Sequence, residues 1–542
     1  RPPNLKRNNE QPGDIHPEQI FKTLSDDRAT MTRLLFFLLL VIFILGETQG
    51  LIAGPLSRIK SHRHQRAERS RLKNSYEGCI TKTREKGEPN KILIKNNVPP
   101  QGFVALFSGT DLNGWYGWGT QDPSDFRNMS PEEQADYKEK SIYGELLNAK
   151  GKDTNDHINA HWRVENGEVI NDGKGLYLTT DEEFGDFELL VDYKMQPLGD
   201  SGIYLRGIPQ VQIWDSTEEK KFKLGADKGS GGLWNNKRNE GKHPLALMDR
   251  PFGEWNHFRI KMIGERVTVE LNGKVVVQNA VMDNYFAHRK KKKEENSGET
   301  TNPLVDPVPP RGPIQLQTHG SEIRWRNIYI REISTSEADA FLRSQNESEF
   351  VELINGKDLS DWQGATDSYE VREGNIVCKP SKGGDLLTKD SFGDVIVRVE
   401  FKLPTAGNNG IALRVPEGGH SAHDGMEIQV IDDDGYNTRL TSAGKPRLKD
   451  YQHHGSLYFC VGAKQGYLRP AGEWNFEEII LQDQKLTVTL NGTCILDVNL
   501  DTLNRSKMDH VPGGLDRRKG SIGLAGHNDP VEFRSFKVQR LD

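Results

Sequence analysis

The chain reads as an all-β protein made of two β-sandwich domains in tandem, and three observations predict this. Glycine is abundant at 54 residues beside 9 tryptophans, and long helical periodicities are scarce, a mixture that suits short strands joined by tight turns. Segments such as RVTVELNG alternate strictly: Val267, Val269 and Leu271 share one strand face, and Asn272-Gly273 makes the turn. From Phe103 onward the sequence also matches itself.

The N-terminal region comes first. Residues 1–30 precede Met31 and read as a mis-assigned start or an extension. Residues 31–50 carry Arg33, the apolar run Leu34 to Leu45 and the small-x-small sequence Thr48-Gln49-Gly50, the layout of a secretory signal peptide with a run too short for a membrane span. This predicts a periplasmic or secreted protein with no stable membrane span after cleavage. Residues 51–100 are basic and weakly apolar, a solvated linker. Four scattered cysteines, Cys79, Cys378, Cys460 and Cys494, fit neither a disulfide framework nor a zinc site, though one bridge among the last three and free thiols are both open.

Six blocks then recur in one order. FVALFSGTDLNGW returns as FVELINGKDLSDW, WRVENGEVI as YEVREGNIV, FGDFELLVDYKM as FGDVIVRVEFKL, and SGIYLRG as NGIALRV. PFGEWNHFRIKMIGERVTVELNGK returns as PAGEWNFEEIILQDQKLTVTLNGT, and RGPIQLQTHGSEIRWRNIYI as KGSIGLAGHNDPVEFRSFKV. The blocks place copy one at 101–333, a polar and helical linker at 334–348, and copy two at 349–542. Copy one carries two extra polar segments, 119–160 and 283–311, which read as surface insertions. A net charge of -6 argues against a nucleic-acid partner, and the lysine run in HRKKKKEE reads as a solvated loop.

Polar residues interrupt strands that must bury one face. Strand side chains alternate, so in copy one Ile203 and Leu205 oppose Tyr204 and Arg206, and Val211 and Ile213 oppose Gln210, Gln212 and Trp214. In copy two Ile411 and Leu413 oppose Arg414, and Ile428 and Val430 oppose Glu427 and Gln429. The preceding strand opposes Asp192 and Lys194 to its apolar face in copy one, and Arg398, Glu400 and Lys402 in copy two. All of these are expected on one polar, aromatic-bearing sheet face per copy. A solvated outer face would look similar, but bidentate donors and planar amides beside aromatic rings suit sugar hydroxyls and pyranose faces. His319 shares a face with Gln315 and Gln317 and has His527 as its counterpart; the HDG at His423 to Gly425 and the pair His453-His454 are further titratable groups. Asp215 and Asp432 end their strands as turn formers or ligands; they could take a divalent cation, but no spacing demands a metal and no other cofactor is indicated.

At these blocks the chain resembles the 3-keto-disaccharide hydrolase domain family. LFSGTDLNGW, SGIYLRG with VQIWD, PFGEWN, VELNGK and LQTHGSEIRWRNI carry the likeness in copy one, and LINGKDLSDW, NGIALRV, GMEIQVID, PAGEWN, VTLNGT and LAGHNDPVEFRSF carry it in copy two. The resemblance implies a concanavalin A-like jelly roll, export, and cleavage of glycosides oxidised to a ketone at C3. Its motif positions are Arg414, Glu427, Gln429, Asp432 and His527, with Arg206, Gln212, Asp215 and His319 in copy one; copy one departs by placing Gln210 where copy two has Glu427. A C3 ketone acidifies the C2 proton, so β-elimination and hydration can replace direct hydrolysis. That route would use Glu427 or His527 as base, Arg414 and Lys402 at the oxyanion and Gln429 as a hydroxyl reader, whereas direct hydrolysis would pair Glu427 with Glu400. A non-catalytic, lectin-like carbohydrate-binding protein is the rival expectation. The oligomeric state, the sugar and the aglycone stay open.

Overall fold

Alternation does set the architecture: a computed structural model describes residues 97–146, 155–237, 240–287, 289 and 305–542, and within them each copy is a two-sheet antiparallel sandwich. The expected signal peptide, the basic linker, Cys79 and most of the lysine run lie outside the described residues.

In copy one the larger sheet runs Lys274–Val281, Arg266–Leu271, Asn256–Ile263, Phe187–Met195, Ile323–Glu332, Glu168–Asn171, Trp162–Glu165, with Val104–Ala105 added against Ile323–Glu332. The smaller sheet runs Trp115–Trp118, Tyr177–Thr180, Gln315–Leu316, Asp200–Leu205, Ile208–Trp214. Copy two repeats this plan. Its larger sheet centres on Glu532–Arg540, Val395–Lys402 and Trp474–Gln482, and its smaller sheet runs Trp362–Gly364, Gly383–Thr388, Ser521–His527, Asn408–Val415, Met426–Ile431. The order, in which strands distant in sequence lie side by side, is that of a jelly roll.

Each sandwich encloses one core. In copy two Val397, Val399, Phe401 and Ile479 from the larger sheet meet Ile411, Leu413, Ile428, Val430 and Leu524 from the smaller. At roughly 25 cal/mol per Å² of apolar surface, this burial is the main term holding the sheets together.

The joint is a structural wedge. Ser334 caps the helix Thr335–Arg343 by accepting from the Glu337 amide at 3.3 Å, and Ala338 and Leu342 pack with Ile263 and Ile333 of copy one and Phe476 of copy two. The first insertion of copy one is also ordered where described: Ser130 and Glu133 form a capping box on the helix Pro131–Tyr143, whose Tyr137 ring packs edge-on against Trp118 at 5.0 Å. Cys378 and Cys460 are free thiols, so no bridge joins any two of Cys378, Cys460 and Cys494. Among the described residues no helix is long and apolar enough to cross a membrane.

Candidate functional site

The smaller sheet of copy two presents its outward face through the residues that alternate with the core set: Gly410 and Ala412 on one strand, Glu427 and Gln429 on the next, and Ala525 and His527 on the other side. Gly410 pairs with Gln429 and Ala412 with Glu427 across the ladder. Glu427 and His527 stand two strands apart, yet His527 Nε2 donates to Glu427 Oε1 at 3.4 Å. The glycine between them permits this, because a β-carbon at Gly410 would collide with the Glu427 carboxylate. Glu427 is buried, whereas the His527 side chain is 43% exposed, so the pair has one face toward solvent.

Burial works against charge on His527, but the hydrogen bond to Glu427 and the negative charges of Glu427, Asp385 and Asp529 outweigh it and hold the imidazole above its ordinary value. The protonated form is therefore favoured beside an adjacent carboxylate. Gln429 is 3% exposed, and its Oε1 is buried without a hydrogen-bond donor among the described residues. Such an acceptor is costly unless something donates to it, and a sugar hydroxyl would. Asp385, on the strand beside that of His527, is held by the Ser421 amide at 2.7 Å and hydroxyl at 2.8 Å.

Copy one builds a related arrangement with its charge in another place. His319, the counterpart of His527, donates from Nδ1 to Asp200 Oδ2 at 3.2 Å. Lys221 adds a second cation at 2.9 Å, and Gln212 Nε2 donates to Asp200 Oδ1 at 2.9 Å. Burial would raise the Asp200 carboxyl, yet the hydrogen bonds from His319 and Lys221 outweigh it and hold the group below its usual range. The repeat alignment sets Asp200 against Asn408 and Gln210 against Glu427, so the copies have exchanged carboxylate and amide at two positions. Asp200 and Lys221 escaped attention in the sequence; the Asp200/Asn408 mismatch in the aligned repeat is the signal that would have found the first.

The single polar face expected in each copy is divided between two sheets. Glu400 and Lys402 lie on the larger sheet, outside the layer of Val397, Val399 and Phe401, with the whole core between them and Glu427. Glu400 is held by Arg343 at 2.7 Å and by Arg534 at 2.5 Å, and Lys402 pairs with Glu532 at 3.0 Å above the Trp474 ring. Asp192 and Lys194 correspond: Asp192 accepts from Arg326 at 3.2 Å and Asn327 at 2.7 Å, while Lys194 lies over Trp255 at 4.4 Å. Alternation orients side chains within a strand but does not say which sheet the strand joins.

Both arginines also leave the expected face. Arg206 forms, with Gly207, the two-residue turn between Asp200–Leu205 and Ile208–Trp214, and Arg414 sits at a ladder irregularity; both have left-handed backbone, φ 52° at Arg206 and 51° at Arg414, which breaks the alternation. Arg414 donates to Gln484 Oε1 at 2.8 Å and to the Asp483 carbonyl at 2.6 Å, tying the smaller sheet to a turn of the larger. Arg206 donates to the Gly185 carbonyl at 2.9 Å and to Asp186 at 2.8 Å. These are fully buried braces, not groups awaiting an oxyanion.

Other candidates have local duties. Asp215 accepts from the Leu198 amide at 2.9 Å and the Thr217 amide at 2.7 Å, and Asp432 caps the helix Asp433–Ser442 while accepting from the Ala406 amide at 2.8 Å. Both are turn formers; among the described residues no cluster of three His, Cys, Asp or Glu groups is arranged to hold a metal ion. Trp214 is 3% exposed with its indole donating to the Gly229 carbonyl, and Tyr204 is 2% exposed against Tyr177 and Thr120, so neither offers a free ring face. Gln210 donates to Gln212, and His454 is not superficial but forms a buried pair with Glu477 at 2.9 Å.

Residues 102–331 and 349–539 match the model of the 3-keto-alpha-glucoside-1,2-lyase-like domain. A 3-keto-disaccharide hydrolase of Bacteroides thetaiotaomicron is 24% identical over 254 residues, covering 40% of this chain and 86% of its own. A crystal structure from Parabacteroides distasonis, provisionally described as a glycosyl hydrolase, is 24% identical with a TM-score of 0.32, covering 39% of this chain and 99% of that one. A Bacillus subtilis carbohydrate-binding module is 11% identical with a TM-score of 0.21, covering 35% of this chain and 94% of its own.

Proposed function

Because the chain belongs to the 3-keto-alpha-glucoside-1,2-lyase-like domain family, we propose that copy two cleaves the glycosidic bond of 3-keto-disaccharides or 3-keto-glycosides by elimination at C1–C2. The observation that carries this reading is the buried carboxylate of Glu427, seated over Gly410 and hydrogen-bonded to His527.

The C3 ketone of the substrate makes its C2 proton removable. Glu427 takes that proton as a carboxylate, and the electron pair moves into the enolate delocalised onto the C3 oxygen. His527, favoured in its protonated form, donates to that oxygen or to the departing C1 oxygen. As the enolate collapses, the C1–O bond breaks, a C1=C2 double bond remains on the ketone-bearing ring, and the leaving group departs as an alcohol. Addition of water across the double bond then gives net hydrolysis. Gln429 would accept from a substrate hydroxyl. The ketone arrives with the substrate, so this scheme needs no redox cofactor.

Copy one reads better as a binding or supporting copy. Gln210 replaces the glutamate, and Asp200 is engaged by three donors, two of them cationic, which makes it a poor base. The leader-like sequence at 31–50 supports export, so the substrate would be met in the periplasm or outside the cell.

The test is to incubate the chain with matched 3-keto and unoxidised disaccharides and follow bond cleavage by NMR. Cleavage confined to the keto form supports the reading. Retained sugar binding with no cleavage of either would make the protein a lectin-like binder instead.

A further inference from the structure

We propose that Tyr458 and Phe459, with the rings packed around them, form a leaving-group subsite that stacks on a ring-bearing aglycone. This rests on copy two being the catalytic copy, and extends it to the half of the substrate that departs.

The placement follows from the edge of the smaller sheet. Beyond Met426–Ile431 the chain adds a further short extended segment: Ile428 bridges Leu457, and the Tyr458 amide donates to the Glu427 carbonyl at 2.9 Å. Tyr458 opens the turn that follows Leu457, and its backbone is paired with that of Glu427, so the two residues are neighbours across the sheet edge, about 5 Å apart. Tyr458 therefore flanks Glu427 on the side away from His527. A glycoside whose C2 lies over the Glu427–His527 pair would extend its leaving group in one of two directions along the sheet, and this one is lined with rings.

Phe459 is the centre of the cluster. Its ring lies 4.4 Å from Tyr458, 5.4 Å from His423, 5.4 Å from His510 and 5.8 Å from Tyr451. Tyr451 is anchored through its hydroxyl to Asp509, which Lys449 also engages. None of these rings is fully buried, and His423 is exposed. Phe459 holds φ at 65°, a conformation that a bulky side chain adopts rarely and at a cost in backbone strain. A partly exposed aromatic group kept in that conformation beside a candidate base is a binding feature rather than a packing one.

The copies differ here as they differ at the base. Aligning Leu233 with Leu457, which make equivalent bridges, puts Trp234 at the place of Tyr458 and Asn235 at that of Phe459. Trp234 packs edge-on against Trp214 at 6.0 Å. The phenylalanine-centred platform and the glutamate thus occur in the same copy.

The test compares phenyl and methyl 3-keto-α-glucosides by calorimetric titration of the Glu427→Gln chain, which should hold either substrate uncleaved. Stacking predicts that the phenyl compound binds about tenfold more tightly. Phe459→Asn, which installs the copy-one residue and tolerates left-handed backbone, should bring the two affinities to within about threefold, and Phe459→Gly should do the same. Equal binding of the two compounds by the parent, or a preference that survives both variants, would overturn the subsite. If the native chain cleaves neither compound while the preference is present and is lost in both variants, the subsite stands and the catalytic reading falls.

Discussion

Glu427→Gln puts into copy two the residue that copy one carries at Gln210, and it separates charge from shape. The amide is nearly isosteric, so the packing over Gly410 and a hydrogen bond to His527 can persist while the base is lost. General acid–base groups contribute about a hundredfold to ten-thousandfold, so kcat/KM for a 3-keto-disaccharide should fall by that factor, with little change in thermal unfolding. A second consequence is independent of turnover. The hydrogen bond and charge of Glu427 lead the influences that raise His527, so the variant's imidazole should titrate lower than in the native protein. Both are measurable on one preparation, the first by NMR of substrate cleavage and the second by following the histidine ring resonances with pH. A loss below about tenfold would remove Glu427 from the role of base, and an unmoved His527 titration would show that the pair does not couple.

Three further outcomes follow from named contacts. If His527 acts as its imidazolium, activity should persist below its pKa and fall as pH rises through it; that falling limb should lie above the ordinary value of 6.5 and move downward in Glu427→Gln, read from kcat/KM against pH. The same raised value means that any stability the pair contributes is fully present below 6.5 and is lost as pH rises through the folded-state value. Gly410→Ala should fold, because the colliding atoms are the flexible end of Glu427, yet displace that carboxylate and lower kcat/KM by about a hundredfold; native-like activity would show that the carboxylate position is not critical. His454→Ala should cost about 3–5 kcal/mol in denaturant unfolding, since it leaves Glu477 buried without its partner, and adding Glu477→Phe, the residue copy one has at Phe258, should recover much of the loss.

The tandem sandwiches were legible because duplication displays the same alternation twice, and because alternation reports directly which side chains meet the core. Val397 and Val399, Ile411 and Leu413, and Ile428 and Val430 all face inward as their spacing required. The pairing of Glu427 with His527 was half visible: both residues were candidates, but only the fold brings the end of Ser521–His527 across Gly410 to the glutamate. The placement of Glu400, Lys402, Asp192 and Lys194 was not legible, since a strand with one apolar face can join either sheet of a sandwich. Arg206 and Arg414 misled for a different reason. A hairpin turn at Arg206 and a ladder irregularity at Arg414, both with left-handed backbone, take each residue out of the period, and LRG and LRV alone do not mark the change. The duties of Asp215 and Asp432 as turn formers were among the alternatives the sequence left open, and backbone amides settle them. Tyr458 and Phe459 passed unnoticed because their importance depends on an edge segment that only the tertiary structure places beside Glu427.

In the proposed scheme cleavage begins with removal of the C2 proton. The most direct test of that step is the isotope effect on kcat/KM for a 3-keto-disaccharide carrying deuterium at C2. Proton abstraction in the committing step makes the deuterated substrate react several-fold more slowly; equal rates with cleavage intact would rule that step out and favour direct attack at C1.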